Sequence, residues 1–235
     1  MKRGKRMAAS VAAVDRERLY SPLEAMKLTT ELAPAKFDET VEVHLKMGLN
    51  PRSADQQVRG IALLPHGLGK QIRVLVFAQG PAGKIAMDAG ADHVGADDIV
   101  KQIEEGWLEF DTAMATPDMM PKVAKLGKIL GRRGLMPNPK SGTVVPAEDL
   151  PRAIGDARKG RVEYRLDRTA IIHLAIGKVS FDDHMLLENF SAVMDAIIKA
   201  KPSGAKGQYI KSITVTTTMG PGFKLDLRSA MTLAE

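Results

Sequence analysis

From Thr40 to Met47 polar and apolar residues alternate: Val41, Val43, Leu45 and Met47 share one face, and Thr40, Glu42, His44 and Lys46 share the other. Period two with one apolar face is the pattern of a strand lying half on a core and half in water. Ser212 to Thr218 repeats it, with Ser212, Thr214, Thr216 and Thr218 opposite Ile213 and Val215. Arg161–Asp167 and Thr169–Ile176 alternate as well and read as a hairpin about Asp167-Arg168. Antiparallel sheets often keep one face free, so such alternation suits them. Two helical patterns accompany these strands. Ser21-Pro22 before Leu23–Leu32 reads as an N-cap with proline at the first helical position. Ser180-Phe181-Asp182-Asp183 resembles a capping box with Asp in place of Glu, and Leu186, Phe190, Val193 and Ile197 follow at helical spacing until Pro202-Ser203-Gly204. Together these segments predict an α+β layer, an antiparallel-rich sheet with helices on one face.

The middle of the chain has a different pattern. Ile72–Ala78 is nearly all apolar, as expected of a strand covered on both faces. A helix (Gly83–Ala89), a short strand near His93-Val94, a helix (Asp97–Glu105), a strand (Phe110–Ala115) and a helix (Asp118–Leu130) follow. Strands alternating with helices predict a small parallel sheet with right-handed crossovers, a Rossmann-like α/β arrangement. Glycines mark its limits, in Pro65-His66-Gly67-Leu68-Gly69-Lys70 before it and Lys159-Gly160 after it. The expected organisation is a discontinuous α+β domain of residues 1–67 and 161–235, with an α/β domain of residues 68–160 inserted.

Composition narrows the function. The 235 residues carry 34 Lys+Arg against 28 Asp+Glu, a net charge of +6, and residues 1–68 and 160–235 together hold +5 of it. That favours a polyanionic partner without demanding one. The absence of cysteine excludes disulfide scaffolds, cysteine-ligated metal sites and thiol nucleophiles. Aromatics make up only 4%, with Trp107 the single tryptophan, so recognition built wholly on stacking is not expected. No apolar run is long enough to span a bilayer. The basic start Met1-Lys2-Arg3-Gly4-Lys5-Arg6 is followed by an apolar stretch (Met7–Val14) too short for a secretory signal, so a soluble cytoplasmic protein is expected.

An enzyme reading finds little support. After the apolar strand the chain runs Gln79-Gly80-Pro81-Ala82-Gly83-Lys84, which has neither phosphate-loop spacing, and Pro81 lacks the N–H such a cradle uses. The five histidines (His44, His66, His93, His173, His184) show no i, i+4 ligand spacing, and no serine sits in a GxSxG elbow. Asp97-Asp98 and Glu104-Glu105 are explained by helix-start charge and a solvated face. No catalysis, metal, cofactor or small-molecule substrate is expected; the alternative, an α/β enzyme, would need saturable nucleotide binding to the middle domain.

A nucleic-acid reading does better. The hydroxyls of Ser212, Thr214, Thr216 and Thr218, beside Thr40, can bond ribose 2′-OH and phosphate groups, which suits RNA read by shape. Lys36, Arg161, Arg165, Arg168, Lys206 and Lys211 flank them, and Phe37 stands next to Lys36. Met219-Gly220-Pro221-Gly222 ends the strand with room for close approach. A second basic stretch, Lys122, Lys125, Lys128, Arg132 and Arg133, lies in the middle domain and runs into Gly134–Lys140.

At this level of detail the chain resembles a known family. Asn50-Pro51-Arg52, Val58-Arg59-Gly60, Leu64–Lys70, Gly90-Ala91-Asp92, Ala115-Thr116-Pro117-Asp118, Leu126–Gly131, Pro137–Thr143, Lys201–Gly207 and Thr216–Pro221 appear in order from about Tyr20 to Gly222. They are similar to those of the bacterial large-subunit ribosomal proteins of the L1 family, the proteins of the mobile side stalk beside the exit site. The resemblance implies two domains, one inserted in the other, and binding of large-subunit rRNA by the outer one. It also implies translational repression through the protein's own operon mRNA, and movement of the stalk with deacylated exit-site tRNA as that tRNA is released. Other ribosomal components are implied as neighbours, and no membrane. Carried over motif by motif, the implied RNA contacts are Lys36, Phe37, Thr40 and Glu42; Arg165, Asp167, Arg168 and Thr169; and Ser212, Thr216, Thr217, Thr218, Met219 and Gly220. Glu42 would accept from a ribose hydroxyl or a base amino group rather than meet a phosphate. The hairpin departs from the family pattern: Leu166 and Ala170 stand where members carry Asn and Gly. The tail after Pro221 is variable in the family and is assigned no role.

Overall fold

The computed structural model describes residues 4–233, apart from the side chain of Lys140. The basic start Met1-Lys2-Arg3 lies outside them. The chain forms two compact units. One contains the residues up to Gly69 and those from Gly160 onward; the other is Lys70–Lys159.

The outer unit is built on a four-stranded antiparallel sheet. Its strands are β1 (Thr40–Met47), β7 (Ile171–Lys178), β8 (Ile210–Thr217) and β9 (Phe223–Lys224), in the order β7-β1-β8-β9. Val41, Val43 and Leu45 are fully buried, and the residues between them are half-exposed, as the alternation predicts. The helices α2 (Pro22–Glu31) and α8 (Asp183–Lys199) cover the apolar face. Ser21 caps α2 by accepting from the backbone N–H of Glu24 at 3.3 Å, with Pro22 at the first turn. Leu186, Phe190, Val193 and Ile197 point from α8 into the core with no exposed surface. The cap of α8 differs from expectation. Asp182 occupies the N-cap position without a side-chain bond, and Ser180 instead donates its hydroxyl to Asp38 at 2.8 Å.

The expected hairpin is replaced by two diverging strands. β6 (Arg161–Arg165) pairs with β2 (Arg59–Leu63) in a separate two-stranded ribbon, while β7 joins β1. Alternation reports which face is buried but not which strand is the partner, and an adjacent strand is only the commonest choice. Across the turn the Asp167 N–H still donates to the Ile171 carbonyl at 2.9 Å. The ribbon is held to α8 by Tyr164, whose hydroxyl donates to the Ala196 carbonyl at 3.0 Å. Tyr209 does the same to Ile197 at 3.1 Å, and burial, aided by Tyr164, pushes the Tyr209 phenol up to about 12.

The segment beyond Pro221, given no role by the sequence, completes the core. Phe223 is buried, pairs with Val215, and meets Tyr20 edge-on at 5.6 Å. The helix α9 (Leu227–Thr232) follows, capped by the Asp226 carboxylate at the Ser229 N–H. An N-terminal helix, α1 (Lys5–Ala12), adds to the elements the sequence pattern predicts. Where the chain leaves and re-enters this unit, Asn189 is fully buried. It accepts from the His66 N–H and donates to the carbonyls of Gly67 and Ile176. Gly160 has φ +100° and lies so near Gly67 that a Cβ would sit 2.3 Å from the Gly67 Cα.

The inserted unit has a parallel sheet of β3 (Val74–Phe77), β4 (His93–Gly95) and β5 (Thr112–Ala115), in the order β4-β3-β5. Leu75, Phe77, Ala113 and Ala115 pack with α4 (Asp97–Glu104) and the segment from Met119 to Leu130, whereas Val74, Val76 and Met114 pack with α3 (Pro81–Asp88) and α7 (Leu150–Arg158). The helix predicted over 118–130 is broken. Two short α-helices, α5 (Met120–Val123) and α6 (Gly127–Arg133), are separated by a 3₁₀ turn at Ala124–Leu126. Pro121 and Gly127 are the residues least suited to a continuous helix there.

Candidate RNA-binding surface

The solvent face of the outer sheet is laid out by strand register. Lys178, Thr40 and Thr218 lie at one end; Ala175, Glu42 and Thr216 form the next row, then His173, His44 and Thr214, then Ile171, Lys46 and Ser212. Lys224 extends the His44 row through Thr214. The residues singled out from the sequence therefore fall into two groups at opposite ends of one strip, joined by Glu42 and Thr216.

At the Thr40 end, a buried acid organises the loops. Glu39 has almost no exposed surface, accepts the Ala35 N–H at 2.8 Å through one carboxylate oxygen, and accepts the Met219 N–H at 2.8 Å through the other. It thereby ties the loop carrying Lys36 and Phe37 to the turn carrying Met219 and Gly220. The same alternation that buries Val41 buries Glu39, so parity signals its position although its charge argues against it. Thr218 fastens the turn to the strand: its N–H donates to the Thr40 carbonyl at 3.1 Å, and its Oγ1 accepts the Thr40 N–H at 3.1 Å. The Thr40 hydroxyl accepts from Lys178 at 2.8 Å, which adds a cation that the sequence reading missed. Gly220 is required by space, since a Cβ would lie 2.3 Å from the Thr217 hydroxyl oxygen.

This anchoring leaves two large apolar side chains in solvent: Phe37 is 59% exposed and Met219 57%. They line a groove of about 760 Å³ together with Pro34, Ala35, Gly220 and the start of α1. Lys36 is exposed beside it. Thr216 lies on the open face and donates to the carbonyl of Thr217 or Gly220. Thr217 is different. It is 2% exposed, faces the core, and its buried hydroxyl has no hydrogen-bond partner among the described residues, so the contact expected of its side chain does not fit this position. The run of three threonines crosses from one face of the sheet to the other.

At the Met47 end, Asp167 builds the turn. Its carboxylate accepts the N–H groups of Thr169 (2.8 Å) and Ile171 (2.7 Å) and the Thr169 hydroxyl (2.5 Å). Partial burial pushes the Asp167 carboxyl up, but these bonds outweigh it and hold it below its ordinary value. Asp167 and Thr169 thus spend their polar atoms on the turn and leave Arg165 and Arg168 as its exposed cations. Lys46 donates to the Thr169 carbonyl at 2.6 Å. Ala170 has φ +59°, the left-handed conformation for which glycine is preferred. Leu166 is buried.

Among the described residues no group of three or more His, Asp or Glu side chains is placed to hold a metal, and no helix is long and apolar enough to cross a membrane. Residues 29–221 match the model of the ribosomal protein L1p/L10e family. The chain belongs to that family. A large ribosomal subunit protein uL1 from Dehalococcoides mccartyi is 62% identical over 226 residues, covering 96% of this chain and 95% of its own. The uL1 protein of Chloroflexus aurantiacus is 58% identical over 233 residues, covering 99% and 98%. Membership in this L1p/L10e family agrees with the observed fold, an antiparallel sheet with helices plus a small parallel sheet. The family match ends at Pro221, yet Phe223 and Leu225 are part of the core.

Proposed function

We propose that this chain is a structural component of the large ribosomal subunit and that it binds large-subunit rRNA through the open face of its outer sheet. Its workplace on this reading is the ribosome, in the cytoplasm. Full-length similarity to proteins named as large-subunit components supports the first part. The observation carrying the second is the strip itself. Among the described residues one sheet face stays half-exposed, with hydroxyls and cations along it and the exposed pair Phe37 and Met219 in the loops at its end.

The face suits RNA for stated reasons. Thr214, Thr216 and Ser212 offer hydroxyls to ribose and phosphate, Lys36, Arg165, Arg168 and Lys178 offer charge, and Phe37 and Met219 offer flat or soft apolar contact to a sugar or base. Glu42 is an acceptor for a ribose hydroxyl. Glu39, Thr218 and Asp167 hold the loops in place before any ligand arrives, which lowers the entropy lost on binding. The finer roles, assisting release of exit-site tRNA and repressing the chain's own operon mRNA, belong to the same proposal: a protein that recognises one folded RNA element binds any RNA that presents that element. No catalytic step is assigned to any residue.

The test is filter binding of the full chain to fragments of total large-subunit rRNA across a salt series. Saturable binding to one fragment with a shallow salt slope is expected, because contacts other than phosphate neutralisation then dominate. Weak binding to every fragment, lost steeply with salt, would overturn the proposal.

A further inference from the structure

Sequence spacing gave the histidines no joint role, but the fold brings two of them together on the candidate RNA face. His44 on β1 and His173 on β7 are directly opposite in register. Their rings meet edge to face at 4.9 Å, and the two Nδ1 atoms are 2.8 Å apart. Two bare nitrogens at that separation repel, and two N–H groups collide, so the contact requires one proton shared between them. The outer nitrogens each face an acid. His44 Nε2 is 3.7 Å from Glu42 and His173 Nε2 is 3.7 Å from Asp167. A carboxylate favours a proton on the nitrogen it faces. Satisfying both acids and sharing one proton puts three protons on four nitrogens, a pair with one positive charge.

We propose that the His44–His173 pair is a proton-accepting contact of the RNA face, charging to its three-proton form when a phosphate group lies against the sheet. This rests on the RNA reading of that face. The surroundings fit. Lys46, on the strand of His44, gives its amine to the Thr169 carbonyl, and Thr214, opposite His44 on β8, is neutral. Lys224 stands one strand further, across from Thr214. Ala175 and Ile171, the next positions on this face of β7, carry no charge. Burial, and then His173, hold His44 below the usual imidazole value, with Glu42 opposing them. These two effects oppose the third proton in the free protein, and an added anion favours its uptake.

Proton uptake makes affinity depend on pH. The experiment measures the full chain's affinity for the rRNA fragment it retains on filters, at constant ionic strength between pH 8 and pH 6. Wild type is expected to bind about 5- to 10-fold tighter at the lower pH, which corresponds to a net uptake of roughly a third to a half of a proton averaged over the two pH units. His173→Gln, at an exposed site, and His44→Gln should each flatten this dependence while circular dichroism shows the fold retained. Tight wild-type binding that does not change with pH overturns the inference but leaves the RNA surface standing. A pH dependence that persists undiminished in both variants also overturns it, because the titrating group then lies elsewhere. No saturable binding at any pH removes the RNA surface itself. Nitrogen-15 spectra of the His44 ring in the free protein give a check without RNA: its signals are expected to change in His173→Gln, and spectra unaffected by that variant contradict the pair.

Discussion

β1 and β3 are both central strands, yet they bury their residues in opposite ways. β1 alternates, with Val41, Val43 and Leu45 inside and Thr40, Glu42 and His44 outside; β3 buries Val74, Leu75, Val76 and Phe77 without interruption. The cause is connectivity. Crossover helices return a parallel strand over both faces of its sheet, while antiparallel neighbours let helices gather on one side. The outer sheet therefore keeps a half-exposed face on which a large flat ligand can lie, whereas β3 does not. Among the described residues, both faces of the inserted unit's sheet are packed against helices, and Lys122 is already paired to Asp97 at 2.8 Å.

Truncation is the strongest way to break this contrast. Leu75→Ala and Met114→Ala lie in the clusters on opposite faces of the parallel sheet, and each is expected to destabilise by about 2–5 kcal/mol in denaturant unfolding. On the outer sheet Leu45→Ala should cost a similar amount, whereas Thr214→Ala should cost less than about 1 kcal/mol. Equal costs on the two faces of the outer sheet would mean that its polar face is covered.

Glu39→Ala probes how the open face is prepared. It removes the acceptor for both the Ala35 and Met219 N–H groups, so a loss of about 1.5–3 kcal/mol in stability is expected, accompanied by weaker RNA binding. Unchanged RNA affinity in this variant would show that the two loops do not need to be held together.

Adjacent threonines sharpen the point. Thr218→Val should weaken RNA binding by about 1–3 kcal/mol, because it loses bonds that fix the turn to Thr40. Thr217→Val should bind RNA like wild type and be as stable or slightly more so, since its buried hydroxyl has no partner to lose. Paired affinity and melting measurements separate them. Reversed outcomes would place the surface on the other side of the sheet. The smallest effect is expected at the turn: Ala170→Gly should stabilise by about 1 kcal/mol by relieving the positive φ, read as a shift in denaturant midpoint.

Much of this was legible in the chain. The parity of Thr40–Met47 and Ser212–Thr216, the spacing of Leu186, Phe190, Val193 and Ile197, and the unbroken apolar run of β3 all follow from burial, which is local in sequence. What failed depended on partners. β6 alternates like a hairpin strand, but its partner β2 lies about a hundred residues earlier, and nothing in either segment names the other. His44 and His173 form a pair only because register sets them opposite. Glu39 shows a subtler limit: its parity points inward, but a charged residue is read as exposed unless its two N–H partners are known. The similarity to L1p/L10e proteins carried residue roles that patterning did not, and structure qualifies them one at a time. It exposes Phe37 and Met219 while turning Thr217 inward.

On the proposed function, RNA binds the open outer sheet and the inserted unit's basic helices take no part in rRNA recognition. The most direct test compares Met219→Asp with the double variant Lys122→Ala, Lys125→Ala against the same rRNA fragment at one salt concentration. Met219→Asp is expected to lose about 1–3 kcal/mol, roughly five- to 160-fold in affinity, while the lysine variant binds like wild type. Equal losses, or a loss confined to the lysine variant, would contradict the claim.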